Sequence, residues 1–218
     1  MKVIKPSFEV FEDLTNPIFV YAIMRKLETI GRTCYQSESD ITEESAGRFV
    51  RRLIERGHEA MLEHASLSVK FIVDRGVSHE LVRHRMASFA QESTRYCNYS
   101  KDKFRRELTF VEPCFWTDEE HGIEMKAWKE MCSSAEDLYI AFMDCGVKPE
   151  EGRTILPNSL KTEIWMTANL REWRHVLKLR AAGTTGKPHP QMAEVMIPLL
   201  KYLKEYLPDV FFDIEVTA

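Results

Sequence analysis

The most unusual part of this 218-residue chain is a cationic stretch that reads Arg83-His84-Arg85-Met86-Ala87-Ser88-Phe89-Ala90-Gln91-Glu92-Ser93-Thr94-Arg95-Tyr96. Three adjacent side chains are cationic or can become so, and a fourth, Arg95, follows ten residues after Arg85. Like charges held together repel unless anions lie among them, and the arginine fork fits phosphate with two hydrogen bonds. The stretch therefore predicts a phosphate-bearing ligand. A solvated basic face, or ion pairs with Glu80 and Glu92, remains the alternative.

The segments on either side of this stretch predict a mixture of helices and strands. Apolar spacing predicts a helix over 42–56 that ends at Gly57, and alternation predicts a half-buried strand over 66–73. Ser78 is a plausible N-cap for a helix that continues through Arg83-His84-Arg85. On such a helix three consecutive side chains spread over about 200°, so a ligand would be contacted from more than one side.

Downstream, the chain continues as alternating helical and extended segments. The pattern predicts a long helix from near Thr117 to Cys145, a short helix ending at Leu156, a strand over 162–168, and helices over 169–182 and 189–207. We find no internal repeat and no linker. The order of elements predicts an α+β fold, and a single domain over 1–218 is the simplest organisation.

Composition excludes several classes of protein. Hydrophobic residues make up 44% of the chain, too many for a disordered protein. No apolar run approaches the roughly 20 residues of a spanning helix, and the start of the chain lacks the apolar region of a signal peptide. The net charge of −4 gives no reason to expect nucleic acid. Five cysteines without a C-x-x-C pair argue against disulfides or zinc and suit a reducing cytoplasm.

Four ordered sequence blocks resemble those of the flavin-dependent thymidylate synthases. The stretch above matches that family's Arg-His-Arg-x7-Ser signature, and Gly57-His58-Glu59-Ala60-Met61-Leu62-Glu63-His64 resembles its "GHxxxxEH" block. Arg153-Thr154-Ile155-Leu156-Pro157 resembles its "R-x-x-L-P" block, and the segment from Asn169 to Arg180 resembles its "N-x-R…L-R" helix. The resemblance implies a small, mostly antiparallel sheet packed with helices.

The resemblance also implies an activity. Members of the family convert dUMP to dTMP, with methylenetetrahydrofolate as carbon donor and NADPH-reduced FAD as hydride source. They are cytoplasmic homotetramers whose active sites are shared between subunits, and no metal, nucleic acid or membrane is involved.

By motif match, the resemblance assigns ligands to these positions. The implied flavin ligands are Ala60, Arg83, His84, Arg85, Gln91, Asn169, Leu170, Arg171 and His175. The implied substrate ligands are His58, Glu80, Leu81, Val82, Arg83, Gln91, Glu92, Ser93, Thr94, Arg95, Arg153 and Arg180. Ala60, Glu80 and Gln91 depart from the residues most common in the family, which leaves the affinity at those positions open.

Arg180 matches the family's substrate-activating residue. Carbon 5 of uracil is a poor nucleophile, and a fixed guanidinium that stabilises negative charge in the ring makes it more reactive without a covalent enzyme nucleophile. Arg171 and His175 are four residues apart and share a helix face. Arg180 lies nine residues past Arg171, about 180° around an ideal helix, which suggests a helix that serves two sites at a subunit interface.

Three other interpretations fit the sequence less well. A classical thymidylate synthase needs a nucleophilic cysteine, and the nearest candidate, Cys114, lacks the neighbouring histidine of that family. A nucleic-acid-binding module could use the basic and aromatic stretch 83–106, but the net charge and the flanking acids oppose it. A flavoprotein of this fold without synthase activity is disfavoured by the presence of both Ser93 and Arg180.

Overall fold

The computed structural model describes residues 1–117 and 119–216, and within them the chain forms an α+β fold. The strands are β1 (Lys2–Ile4), β2 (Ser7–Val10), β3 (Ser66–Asp74), β4 (Ser88–Gln91), β5 (Thr109–Val111) and β6 (Lys161–Asn169). The helices are α1 (Pro17–Thr33), α2 (Ser45–Glu55), α3 (Arg75–Leu81), α4 (Gly122–Asp144), α5 (Pro149–Gly152), α6 (Leu170–Arg180), α7 (Pro190–Tyr206) and α8 (Pro208–Phe211). Short 3₁₀ turns occupy Glu38–Asp40, Ala60–His64, Asp102–Phe104 and Arg153–Ile155.

A four-stranded sheet has the strand order β2-β3-β6-β4, with the two nine-residue strands in its middle. Their ends pair in antiparallel register, since Leu170 N–H donates to the Ala65 carbonyl over 2.9 Å and Arg75 N–H to the Leu160 carbonyl over 3.1 Å. Strands β1 and β5 form a separate parallel pair. The predicted α+β class with a small, mostly antiparallel sheet is confirmed.

The chain divides into two compact units, and the first comprises residues 1–7, 71–83 and 89–165. Its core forms around α4, which buries one face of its 23 residues. The buried members of this core are Tyr99, Leu108, Phe110, Met125, Trp128, Cys132, Tyr139 and Leu160.

The second unit comprises residues 8–70, 84–88 and the described residues from 166 onward. In it α2 packs against α1 and α8, and α6 packs against α7. Gly57 follows the C-cap residue of α2 and has a φ of +73°, a left-handed backbone conformation that favours glycine. Trp173 fixes α6 against β3, because its indole N–H donates to the Leu67 carbonyl over 3.0 Å. The single domain inferred from the sequence stays a prediction.

Two helix predictions were wrong in their bounds. The α3 helix begins at Arg75, since the Asp74 carboxylate, not Ser78, caps it by accepting from Val77 N–H at 2.8 Å. It ends at Leu81, and Arg83 N–H donates to the Glu80 carbonyl in a tighter turn. The cationic triplet therefore follows the helix instead of lying on it. The predicted helix from Thr117 begins at Gly122, and Asp118 lies outside the described residues.

The regular structure at the N-terminus was not predicted from the sequence. Strands β1 and β2 have only three and four residues, too few for a clear alternation. Helix α1 carries a recognisable start, because Asn16 accepts from Ile18 N–H at 3.0 Å and Pro17 takes the first helical position. Within the described residues no helix has the length and hydropathy that crossing a bilayer requires.

Candidate active site

Four polar side chains from two sequence blocks meet in the second unit. The Nε of Arg180 donates to Nε2 of His84 over 3.2 Å. The His84 ring lies edge-on to the His175 ring, with 6.1 Å between centroids. Nδ1 of His84 is 3.7 Å from a carboxylate oxygen of Glu172. The structure therefore brings together three residues that the sequence analysis assigned to the site, His84, His175 and Arg180, and adds Glu172.

The surroundings of His84 keep its imidazole neutral. Burial, the nearby Arg180 charge and His175 together lower the pKa of His84 from 6.5 to about 4. A neutral ring that accepts at Nε2 carries its proton at Nδ1, which is the side that faces Glu172. Burial raises the pKa of Glu172, although His175 acts in the opposite direction. His84 is thus an acceptor that fixes the orientation of the Arg180 guanidinium.

The same residues contain the one set of three potential metal ligands among residues 1–117 and 119–216. Ligand atoms of His84, Glu172 and His175 lie within 4.8 Å of one another. Two imidazoles and a carboxylate suit a transition metal. The Arg180 N–H, however, occupies the Nε2 lone pair of His84, and its positive charge opposes a cation. The cluster therefore fits an anionic or polar ligand better than a metal ion.

A cavity of about 450 Å³ opens beside this cluster on the face of α6, within the range of small-molecule sites. It is lined by Glu59, Glu63, Met86, Asn169, Arg171, Glu172, Arg174, His175 and Lys178. Of the predicted flavin ligands, Asn169, Arg171 and His175 line it. The Asn169 side-chain oxygen caps α6 by accepting from Glu172 N–H at 2.8 Å, and Arg171 forms an ion pair with Glu63. Arg171 must exchange that carboxylate for any anionic ligand.

Arg174 anchors the wall of the cavity, and the sequence analysis assigned it no role. Its side chain is 1% exposed and donates to Glu59 over 3.1 and 3.2 Å and to Asp213 over 2.7 and 2.8 Å. Burial alone would raise the pKa of Asp213, but Arg174 and Lys178 together lower it. The i, i+3, i+4, i+7 spacing from Arg171 to Lys178 could have identified this polar face.

Three other predicted flavin ligands differ in their exposure to solvent. Ala60 and Arg85 are exposed, but Leu170 is not. The Leu170 side chain is fully buried and its N–H donates to the Ala65 carbonyl, so neither group is available to a ligand in this structure. His58, a predicted substrate ligand, is exposed and has Nδ1 2.8 Å from the Tyr35 hydroxyl.

Several predicted nucleotide ligands belong to the first unit and already have partners there. The Gln91 amide donates to the Ser78 hydroxyl over 2.9 Å and to the Thr162 hydroxyl over 3.2 Å. The Glu92 carboxylate accepts from the Tyr99 hydroxyl over 2.8 Å and from Lys161 over 3.0 Å. Glu92 therefore anchors the loop that carries the signature serine.

That loop is a tight turn. The Ser93 hydroxyl accepts from Arg95 N–H at 3.3 Å, and the Arg95 guanidinium is 3.7 Å from Glu150. Thr94 is buried, whereas Arg153 is exposed on its 3₁₀ turn. At the end of α3, Leu81 is fully buried while Val82 and Arg83 are exposed and Glu80 is half-buried. Leu81 can therefore offer a ligand only its backbone.

Comparison with known proteins decides the family. Residues 22–209 match the family described as "Thymidylate synthase complementing protein". The chain belongs to this family. It is 32% identical over 178 residues to the flavin-dependent thymidylate synthase of Geobacter sulfurreducens, covering 81% of this chain and 71% of the relative. It is also 30% identical over 210 residues to the flavin-dependent thymidylate synthase of Corynebacterium aurimucosum, covering 88% of this chain and 80% of the relative. The predicted family is confirmed.

Solved structures show the same fold. The chain superimposes on a UMP/dUMP methylase, PolB from Streptomyces cacaoi, bound with 5-Br dUMP, with a TM-score of 0.77. The alignment covers 97% of this chain and 96% of that protein at 20% identity. A second structure of PolB, bound with 5-Br UMP, gives a TM-score of 0.76 at 18% identity. At this identity the likeness concerns the fold.

Proposed function

We propose that this chain is a flavin-dependent thymidylate synthase that converts dUMP to dTMP. Methylenetetrahydrofolate supplies the carbon, and NADPH-reduced FAD supplies the hydride. The observation that carries the proposal is the 3.2 Å contact between Arg180 and His84. These residues come from two separate blocks, 96 positions apart, which match the family's substrate-activating and flavin-binding motifs respectively.

The flavin ligands proposed here are Ala60, Arg83, His84, Arg85, Gln91, Asn169, Arg171 and His175. Their chemistry fits the group, since FAD combines an anionic pyrophosphate with a ring that needs hydrogen-bond donors and acceptors. Arginine forks, the Asn169 amide and the Nδ1–H of the neutral His84 supply donors. When bound, FAD carries the hydride.

Arg180 is the proposed catalytic residue. Its Nε is held by His84, which fixes the plane of the guanidinium. A planar cation that cannot rotate freely is preorganised to stabilise negative charge as it develops on the uracil ring, at no reorganisation cost during the reaction. Because His84 is neutral, it holds the guanidinium without adding a second positive charge to the site.

The nucleotide is proposed to bind through the loop that carries Ser93 and Arg95, together with Arg153. Arg95 is only 3.7 Å from Glu150, and Arg153 is exposed. A phosphate dianion attracts both arginines more strongly than a single exposed carboxylate does. Glu92 holds the loop through Lys161 and Tyr99, which limits the entropy lost when the nucleotide binds.

Substitution of Arg180 tests the assignment. We expect Arg180→Ala to lower the rate of dTMP formation by about 10² to 10³, the usual effect of removing a preorganised donor, while most of the flavin stays bound. Arg106→Ala is a matched control, since it removes an exposed arginine that pairs with Asp144. A variant that loses flavin, and regains full turnover when FAD is resupplied, would show that Arg180 binds the cofactor instead.

The cellular setting and the assembly are also part of the proposal. All five cysteines are free thiols, which suits a reducing cytoplasm, and the proposed substrates are small molecules and not nucleic acid or membrane. We propose a homotetramer with shared active sites, the assembly that the family resemblance implies. Light scattering tests it, and a monomer that turns over dUMP would refute the shared site.

A further inference from the structure

Helix α2 and its C-cap residue carry a row of three arginines that the proposed function does not use. Arg48, Arg52 and Arg56 follow one another at four-residue spacing, so successive side chains lie on one face about 6 Å apart along the axis. All three are exposed. Within the described part of the chain, none of their side chains has an ion pair or hydrogen bond. Arg51, on another face of this helix, pairs with Asp209 over 3.1 Å. The row is therefore not an ordinary set of surface ion pairs.

This arginine row lines a second cavity in the second unit, of about 510 Å³. Its opposite side is formed by the end of α1 and the 3₁₀ turn Glu38–Asp40, with Arg32, Tyr35 and Asp40 in the lining. Arg32 is already neutralised by the fully buried Glu28, which accepts from it over 2.8 Å. Asp40 is the one acidic residue among those described in the lining, and it lies 3.5 Å from Arg32.

We propose that this cavity binds the phosphate chain of a nucleoside di- or triphosphate. Guanidinium groups bind phosphate oxygens with paired hydrogen bonds, and a row of three matches a ligand with several linked negative charges. The ring of Tyr35 is half exposed beside the row and offers a surface on which a base can stack. The volume suits a small molecule.

A nucleic acid fits the surroundings less well. Glu44, the N-cap of α2, and Glu55, its last residue, lie next to the row and are both exposed, so acidic side chains interrupt the positive surface. The site is also connected to the proposed active site, because the Tyr35 hydroxyl is 2.8 Å from Nδ1 of His58. A ligand that contacts Tyr35 is therefore one hydrogen bond away from a proposed substrate ligand.

Calorimetric titration of the flavin-loaded protein with ATP and with inorganic tripolyphosphate tests the proposal. We expect saturable binding of one ATP per chain, weakened about tenfold or more by Arg52→Gln, because a charge-assisted contact is lost. Arg52→Lys should recover part of the affinity. Arg51→Gln removes the same charge from the same helix outside the cavity, and should change the affinity less than twofold. Equal losses in Arg51→Gln and Arg52→Gln, or no saturable binding at low salt, would overturn the site.

Comparing ATP with tripolyphosphate, with single-stranded DNA and with FAD distinguishes the possible ligands of this cavity. If the nucleoside is recognised, ATP binds more tightly than tripolyphosphate, and Tyr35→Ala weakens only ATP. Equal affinity for both would overturn the nucleotide assignment in favour of free polyphosphate. Tighter binding of a short single-stranded DNA would replace it with a nucleic-acid site, and competition with FAD would place the row in the flavin site. Because binding is measured directly, the result does not depend on whether the chain makes dTMP.

Discussion

The neutral state of His84 predicts a specific dependence of stability on pH. The pKa of His84 is lowered from 6.5 to about 4 in the folded protein by burial, Arg180 and His175. The folded state therefore disfavours the protonated ring. This contribution to the free energy of unfolding is fully present above pH 6.5 and is lost as the pH falls from 6.5 to 4.

The size of the effect follows from the shift. At about 1.4 kcal/mol for each pKa unit, the full contribution is about 3 kcal/mol, of which about 2 kcal/mol is lost between pH 7 and pH 4.5. Because His84 is only 6% exposed, solvent screening should not reduce this much. His84→Gln keeps a hydrogen-bonding side chain but cannot titrate, so it should lack this part of the pH dependence.

Urea unfolding of the flavin-free protein at several pH values measures the difference. Between pH 7 and pH 4.5 the wild type should lose about 2 kcal/mol more than His84→Gln. Arg180→Gln should lose less than the wild type, because one of the charges that disfavour protonation is gone. A wild type and His84→Gln variant with parallel pH profiles would refute the reasoning, as would an NMR titration of His84 with an ordinary midpoint.

Three further substitutions test the packing around the site by urea unfolding, and one of them is also tested by steady-state kinetics. Arg174→Met should destabilise the protein by about 3 kcal/mol, because Glu59 and Asp213 lose the buried cation that they share and keep only the more exposed Lys178. A loss below about 1 kcal/mol would contradict this. Glu92→Gln should lower the free energy of unfolding by about 1 kcal/mol, because the loop that carries Ser93 loses its anchor. The same loss should raise the KM for dUMP more than it changes kcat. A change confined to kcat would refute the anchoring role. Asp74→Ala should cost about 1 kcal/mol through loss of the α3 cap, and an unchanged stability would contradict the assigned cap.

The elements that the sequence predicted well are the ones with strong local signals. Strands β3 and β6 alternate over nine residues, and α6 begins at an asparagine that caps it. The helix through the cationic triplet was predicted wrongly because two residues, Asp74 and Ser78, can both cap. The choice between them depends on which side chain accepts from a backbone N–H two or three residues further on. The Asp74 carboxylate does so at Val77, whereas the Ser78 hydroxyl donates to the Arg75 carbonyl over 2.9 Å.

The site was only partly predictable for a different reason. Motif positions identified His84, His175 and Arg180 one by one, but their contact joins segments far apart in the chain and depends on the fold. The ion pairs that occupy Arg171 and Arg95 were also missed, since Glu63 and Glu150 carry no local signal of their partners. Leu81 and Leu170 were assigned by position alone, and burial removes their side chains from the site.

The central claim is that this chain uses a reduced flavin to methylate dUMP. The most direct measurement is anaerobic reduction of the FAD-loaded protein by NADPH, followed by addition of dUMP and methylenetetrahydrofolate, with the flavin absorbance and dTMP recorded together. We predict that the flavin bands bleach on reduction and return as dTMP forms, in equal amounts. A protein that binds no flavin after incubation with FAD, or reoxidises without forming dTMP, would contradict the account.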